Sequence, residues 1–155
     1  MVKPDGTRLI ADNRRARFEY EVLERVEAGL VLTGAEVKSA RAGHVQLGQA
    51  YADIRGGEAW LVGASIAEYA PGGGAFAHQP ERDRKLLLHR REIDSLYGKV
   101  REKGLTLVPT RMYFKDGKVK VELALARGKE KGDKRRDLAK RDAEREMQRA
   151  LKSRR

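Results

Sequence analysis

The sequence predicts a mainly β domain with a flanking helix and a basic C-terminal tail, on three observations. Apolar residues alternate at period two in an early stretch, within 18–32, and in a late one, 105–126. A single stretch between them, within 84–104, changes to the helical period. After Ala126 the apolar residues give way to mixed charge: residues 127–155 hold 13 Lys/Arg against 6 Asp/Glu, a net +7, whereas residues 1–126 hold 21 against 17, a net +4. A basic gradient of that kind suits a polyanion, either nucleic acid or an anionic surface.

Taken in order, residues 1–17 form an N-terminal segment, residues 18–127 the barrel-like domain and residues 128–155 the tail. Phe18–Leu32 reads as a strand in which Tyr20 and Val22, then Leu30 and Leu32, keep period two across a register change that a bulge would explain. GAEVKSARAG, 34–43, reads as a short connection or one helical turn. Ala50–Arg55 and Ala59–Gly63 flank Gly56-Gly57, where both positions tolerate the positive φ of a tight hairpin turn. Residues 70–80, APGGGAFAHQP, are a loop by composition. Leu86 and Leu88 end a strand, and Ile93, Leu96, Tyr97 and Val100 then mark one face of a helix at about 89–103, which Lys103 and Gly104 stop. Leu105–Lys115 and Lys118–Ala126 are two strands joined by Asp116-Gly117, the strongest hairpin signal in the chain. Strands, a helix and a final hairpin suit a five-stranded oligonucleotide-binding Greek-key barrel; other small α+β arrangements satisfy the pattern too.

The two-residue turn fixes the hairpin register. Lys115 faces Lys118, Phe114 faces Val119, Tyr113 faces Lys120, Met112 faces Val121 and Arg111 faces Glu122. Met112, Phe114, Val119, Val121, Leu123 and Leu125 then share the core face, and Arg111, Tyr113, Lys115, Lys118, Lys120 and Glu122 the outer one. Opposed lysines destabilise a strand pair, and a phosphate between them reverses the sign. Tyr113 beside Lys120 offers a ring and a cation to an unstacked base and its phosphate; an ordinary solvated face with a ring along a lysine stem is the other reading.

Enzyme chemistry has no anchor. His44, His78 and His89 keep no metal-ligand spacing, Ser39, Ser65, Ser95 and Ser153 lie in no nucleophile-elbow context, and Gly72–Gly74 lack the lysine and helix of a phosphate loop. No cofactor or metal is expected. The absence of cysteine fits a reducing, cytoplasmic setting, and neither a leader nor a membrane-length apolar run is visible. The tail holds only Leu138, Met147 and Leu151 as large apolar residues, too few to offset about 1–2 kcal/mol of backbone entropy per ordered residue. Asp137–Arg141 at i,i+4, with Asp142–Arg145 and Glu146–Arg149 at i,i+3, nevertheless favours a helix. The tail therefore reads as disordered when free and helical on a polyanion.

Four stretches, NRRARFEY at 13–20, EAGLVLTGAEVKSARAG at 27–43, RKLLLHRREIDSLYGKV at 84–100, and KVKVELALARGK with DKR at 118–135, stand in an order that resembles the SsrA-binding protein (small protein B) family. The resemblance implies an oligonucleotide-binding barrel that holds the tRNA-like domain of transfer-messenger RNA and brings it to stalled ribosomes for trans-translation. It implies a tail that enters the empty mRNA channel of the small subunit as a helix. It carries RNA contacts over to Glu27, Leu87 and Lys120, to which the hairpin face adds Tyr113, Lys118 and Arg111, and a contact with ribosomal RNA at the decoding centre to Asp133, Lys134 and Arg135. The expected state is a monomer with no membrane partner. Three positions depart from the family pattern: Phe18 where His is frequent, Ala40 where Leu is usual, and Gly132 where an aromatic or His commonly stands. Glycine cannot stack, so either the tail helix starts after it or a neighbour supplies the contact. The alternatives are a structural protein of the ribosome and a general single-strand RNA binder; only 6% aromatics leave little for the stacking that the latter needs.

Overall fold

The computed structural model describes residues 6–68, 79–101 and 105–129, and residues 131–153 as a helix with the side chains of 139–151. The chain runs β1 (Thr7–Asp12), α1 (Arg14–Glu19), β2 (Tyr20–Leu30), α2 (Gly34–Arg41), β3 (Val45–Gln46), β4 (Tyr51–Arg55) and β5 (Glu58–Val62). It continues through β6 (Ser65–Ile66), β7 (Arg84–Leu87), α3 (Arg90–Val100), β8 (Leu105–Lys115), β9 (Lys118–Gly128) and α4 (Lys131–Ser153). The expected loop at 70–80 and the helix stop at Lys103 and Gly104 fall largely or wholly outside the described residues.

The main sheet runs β1-β8-β4-β5-β7-β2-β9, and the further pairing of β8 with β9 closes it into a barrel. The closed ring has six strands rather than five, because Arg84–Leu87 pairs with both β5 and β2 instead of merely ending a strand. Thr7–Asp12, left outside the barrel by the sequence reading, pairs with β8 from Thr7↔Lys115 to Asp12↔Arg111. Phe18 and Glu19 belong to α1 and not to the first long strand. Asn13 is the reason: its side-chain oxygen accepts from Ala16 N at 3.1 Å and caps a helix there. Its amide donates to Leu47 O and Pro109 O at 3.1 and 2.8 Å, which ties α1 across two other segments.

The hairpins follow the turn chemistry. Gly56 and Gly57 both take positive φ between β4 and β5, and Asp116 and Gly117 do so between β8 and β9. The β8–β9 register is the expected one at every pair from Lys115↔Lys118 to Arg111↔Glu122. Beyond it the ladder shifts between Pro109 and Arg111, where a residue without an N–H interrupts the bonding. The bulge expected in β2 lies between Val22 and Glu24 and leaves Leu23 47% exposed.

Met112, Val119, Val121, Leu123 and Leu125 meet Leu61, Leu86, Leu96 and Ile66 in the barrel core. A second cluster of small residues, Ala16, Val108, Ala124 and Ala126, seats α1 closely against β8 and β9. Along α3, Ile93 and Leu96 are buried and Val100 packs against the core, but Tyr97 is 46% exposed under the Arg101 guanidinium. The apolar stripe is therefore narrower than the sequence periodicity suggests.

Residues 34–41, read as a connection or single turn, make a two-turn helix whose Thr33 and Glu36 form a reciprocal capping box. Glu36 also anchors the fold. It is fully buried, accepts from Arg84 Nε at 2.6 Å and is bound by Arg82. Arg84, equally buried, donates to Ala64 O at 3.0 Å and Pro80 O at 2.9 Å, so one guanidinium joins the residue before β6 to the approach to β7. Burial pushes the Glu36 carboxyl up, but hydrogen bonds from Arg82, Thr33 and Arg84 outweigh it and bring it down to about 2.

Candidate nucleic-acid interface

Cross-strand register builds the outer face. Gly29 of β2 lies opposite Leu87 of β7 on one side and Lys120 of β9 on the other. Lys120 in turn lies opposite Tyr113, and Tyr113 opposite Leu9 of β1. Leu87, Gly29, Lys120, Tyr113 and Leu9 therefore form one row across five strands. The next row down the strands carries Glu27, Glu122 and Arg111.

Leu87 is 54% exposed while Leu86 is buried, so Leu87 points away from the core. Its side chain leans over Gly29: a Cβ built there would sit 3.1 Å from Leu87 Cβ and 3.3 Å from Leu87 Cδ1. The missing side chain leaves a shallow floor between a leucine and a lysine. Lys120 forms no ion pair with a described residue, though its charge reaches Glu27.

Glu27 is exposed and held in place by its neighbours. The Tyr113 hydroxyl donates to its carboxylate, and Lys115 Nζ lies 3.4 Å from both oxygens. The Tyr113 bond, with help from Lys115 and Lys120 and against a burial penalty, lowers the Glu27 pKa. Burial first, then the Glu27 carboxylate, pushes the Tyr113 hydroxyl up, so it stays a donor.

Two expectations for this face change. Tyr113 is only 6% exposed, with the Arg111 guanidinium 5.2 Å from its ring centre, so its ring is not an open platform for a base. It is instead a strut that orients Glu27 and Arg111. Lys115 and Lys118 do face each other, but Glu27 already supplies the anion for Lys115; Lys118 is exposed without an ion pair to a described residue. Arg111 is bound to Glu122, which also takes Arg25 Nε at 2.9 Å.

Glu27, Leu87 and Lys120, three sequence positions far apart, line one cleft of about 630 Å³ between the barrel and the start of α3. Lys85, His89 and Arg90 also line it, together with the carboxylates Glu58 and Glu92. Sequence reasoning missed Gly29, Lys85 and Arg90. Of these only Gly29 had a local signal, a glycine inside an otherwise strand-like run. Among the described residues no group of His, Cys, Asp or Glu could hold a metal ion, and no helix is long and apolar enough to cross a membrane.

Asp133, Lys134 and Arg135 lie in the first turns of α4, away from the cleft in sequence. The helix begins at Lys131, so Gly132 sits inside its first turn and the start after 132 is not the one adopted. In that turn the backbone N–H groups have no helical partner in any case, and glycine costs less there than in a helix interior. The tail is helical in the chain on its own, where the sequence reading expected disorder until a polyanion is bound. Asp142–Arg145 and Glu146–Arg149 do not close into ion pairs among the described residues. The tail helix meets α1, where the Arg141 guanidinium lies 5.9 Å from the Phe18 ring.

A closed barrel with a row of leucine, glycine and lysine beside an oriented carboxylate, continued by a basic helix, defines a small nucleic-acid-binding factor. The model of one family, described as SmpB protein, matches residues 10–153. SsrA-binding proteins of Gloeothece citriformis and Nostoc punctiforme are 59% and 55% identical to the chain, over 94% and 97% of both proteins in each comparison. A chain from a solved structure described as "tmRNA-SmpB: a journey to the center of the bacterial ribosome" superposes with a TM-score of 0.66 at 51% identity, over 78% of this chain and 85% of that one. The chain belongs to the SmpB protein family.

Proposed function

We propose that the chain binds the tRNA-like domain of transfer-messenger RNA and delivers it to stalled ribosomes for trans-translation. The observation that carries this reading is the convergence of Glu27, Leu87 and Lys120 on one cleft, in a chain of this family. Leu87 meets a splayed loop base with its exposed methyl groups, and Gly29 lets that base approach the sheet. Glu27, ionised and fixed by Tyr113, accepts from base amino groups, which discriminates bases rather than merely attracting phosphate. Lys120 and Lys118 contribute charge to the backbone. Arg111 adds to that charge at the far end of the face.

The tail acts elsewhere. α4 enters the vacant mRNA channel of the small subunit, and Asp133, Lys134 and Arg135 meet ribosomal RNA near the decoding centre. The protein works as a monomeric cytoplasmic binding factor with no chemical step and no cofactor of its own.

The test is binding to transfer-messenger RNA by the full chain and by a truncation ending at Lys129, with unlabelled tRNA as competitor at two salt concentrations. The truncation is expected to keep most of the affinity, with tRNA a poor competitor. Collapse of binding without the tail, or equal competition by tRNA, would sink the assignment of the barrel face.

A further inference from the structure

Beside the leucine–glycine–lysine row lies a second concavity of about 610 Å³, at the end of the face where β1, β8, β9 and β2 meet. Arg17, Arg25 and Arg111 line it together with Asp12 and Glu122. Arg17 is paired with Asp12. The other two arginines share one acid: Glu122 takes Arg25 Nε through one oxygen, at 2.9 Å, and Arg111 Nε through the other. One carboxylate between two guanidinium groups leaves one positive charge uncompensated.

The geometry is that of a fork held open. Glu122 is 13% exposed, whereas the Arg25 and Arg111 side chains are 62% and 45% exposed. Each guanidinium has five N–H donors, and a bond through Nε leaves the terminal nitrogens to serve another acceptor. Arg111 is further fixed by the Tyr113 ring beneath it. Two like charges placed side by side repel unless an anion joins them, and a phosphate oxygen pair matches the planar donors of arginine.

We propose that Arg25 and Arg111, clamped by Glu122 and flanked by Arg17, form a binding site for a phosphodiester of the RNA whose bases occupy the neighbouring cleft. This rests on the function proposed above and extends it. Continuity supplies the occupant: Glu122 follows Lys120 by two residues on β9 and faces the same way, so the two positions stand about 7 Å apart. A strand of RNA leaving the cleft across Lys120 meets the arginine fork next. The site reads charge and spacing, not sequence.

The experiment measures binding of a tRNA-like-domain transcript over a salt series by the wild-type chain and by Arg25→Ala, Glu122→Ala and Leu87→Ala, each checked by thermal melting. Arg25→Ala is expected to weaken binding several-fold and to lower the slope of log K against log salt by about one phosphate's worth. Glu122→Ala gives the sharper reading. It raises the net positive charge, so charge alone predicts tighter binding, while loss of the clamp predicts weaker binding. The proposal is overturned if Arg25→Ala keeps the wild-type slope, or if Glu122→Ala binds more tightly, while Leu87→Ala binds poorly. Full affinity in Leu87→Ala would instead overturn the cleft reading on which the proposal rests.

Discussion

The β8–β9 face and the α4 helix both present basic residues to solvent, yet they hold them in opposite ways. On the face, register sets each neighbour: Glu27 is gripped by Tyr113 and Lys115, and Glu122 by Arg25 and Arg111. Along α4 every described side chain from 139 to 151 is exposed, with Met147 and Leu151 at 66% and 65%. The face has taken its ordering cost during folding of the barrel. The tail has little apolar burial of its own to set against that cost. A surface that must discriminate one RNA fold benefits from fixed donors and acceptors. A segment that follows a channel benefits from charge it can rearrange.

The largest separation of the two regions is expected from Glu36→Gln. It leaves the buried Arg84 guanidinium without its anion, and breaking a buried pair in this way costs about 3–5 kcal/mol. Denaturant melts monitored at the single tryptophan, Trp60, should show that loss, while tail helicity on a polyanion should not change. Acid probes the same group. The Glu36 carboxyl is lowered from an ordinary 4.5 to about 2, so its contribution is complete above pH 4.5 and fades as pH falls towards 2. That contribution is on the order of 3 kcal/mol, and the acid limb should flatten in Glu36→Gln. A limb identical to wild type would show that other carboxylates set acid stability.

Gly29→Ala should give a smaller effect, confined to the face. The added methyl group would crowd the Leu87 side chain at 3.1 Å and push it off the floor between β7 and β9. A several-fold loss of RNA affinity is expected, because the displaced leucine no longer meets the base. In a Leu87→Ala background the same change should cost little, because the two positions act through one contact. Equal losses in both backgrounds would mean that Gly29 acts independently of Leu87.

Legibility in the sequence followed the range of the physics. Local rules settled the β8–β9 register from the turn to Arg111↔Glu122, because Asp116-Gly117 admits one short turn and the alternation beyond it admits one core face, but not the shift at Pro109. From that register came Lys120 beside Tyr113. The ring's burial did not follow, since the residues that cover and bind it, Arg111 and Glu27, include one from a strand 86 positions away. β1 was invisible for a similar reason: TRLIAD has mixed polarity and becomes a strand because the β8 edge offers it partners. The Glu36–Arg84 pair spans 48 positions and has no periodic signature at all. Glu27, Leu87 and Lys120 came from family resemblance, and the fold then placed them on one cleft.

The smallest expected effect belongs to the junction between the two regions. Arg141 of α4 lies over the half-buried ring of Phe18, and a cation placed over a ring near the surface contributes about 0.5–1 kcal/mol. Arg141→Ala should therefore speed amide hydrogen exchange in α4 a few-fold in the free protein while leaving barrel amides at their wild-type rates. Arg141→Lys should restore part of the protection, since an ammonium keeps the charge but not the planar stacking of the guanidinium. If exchange in α4 is already at the unprotected limit in the wild-type chain, the tail has no ordered state for this contact to stabilise. The Phe18 contact would then contribute nothing in solution, and the contrast between a preformed face and a tail that folds on its partner would be complete.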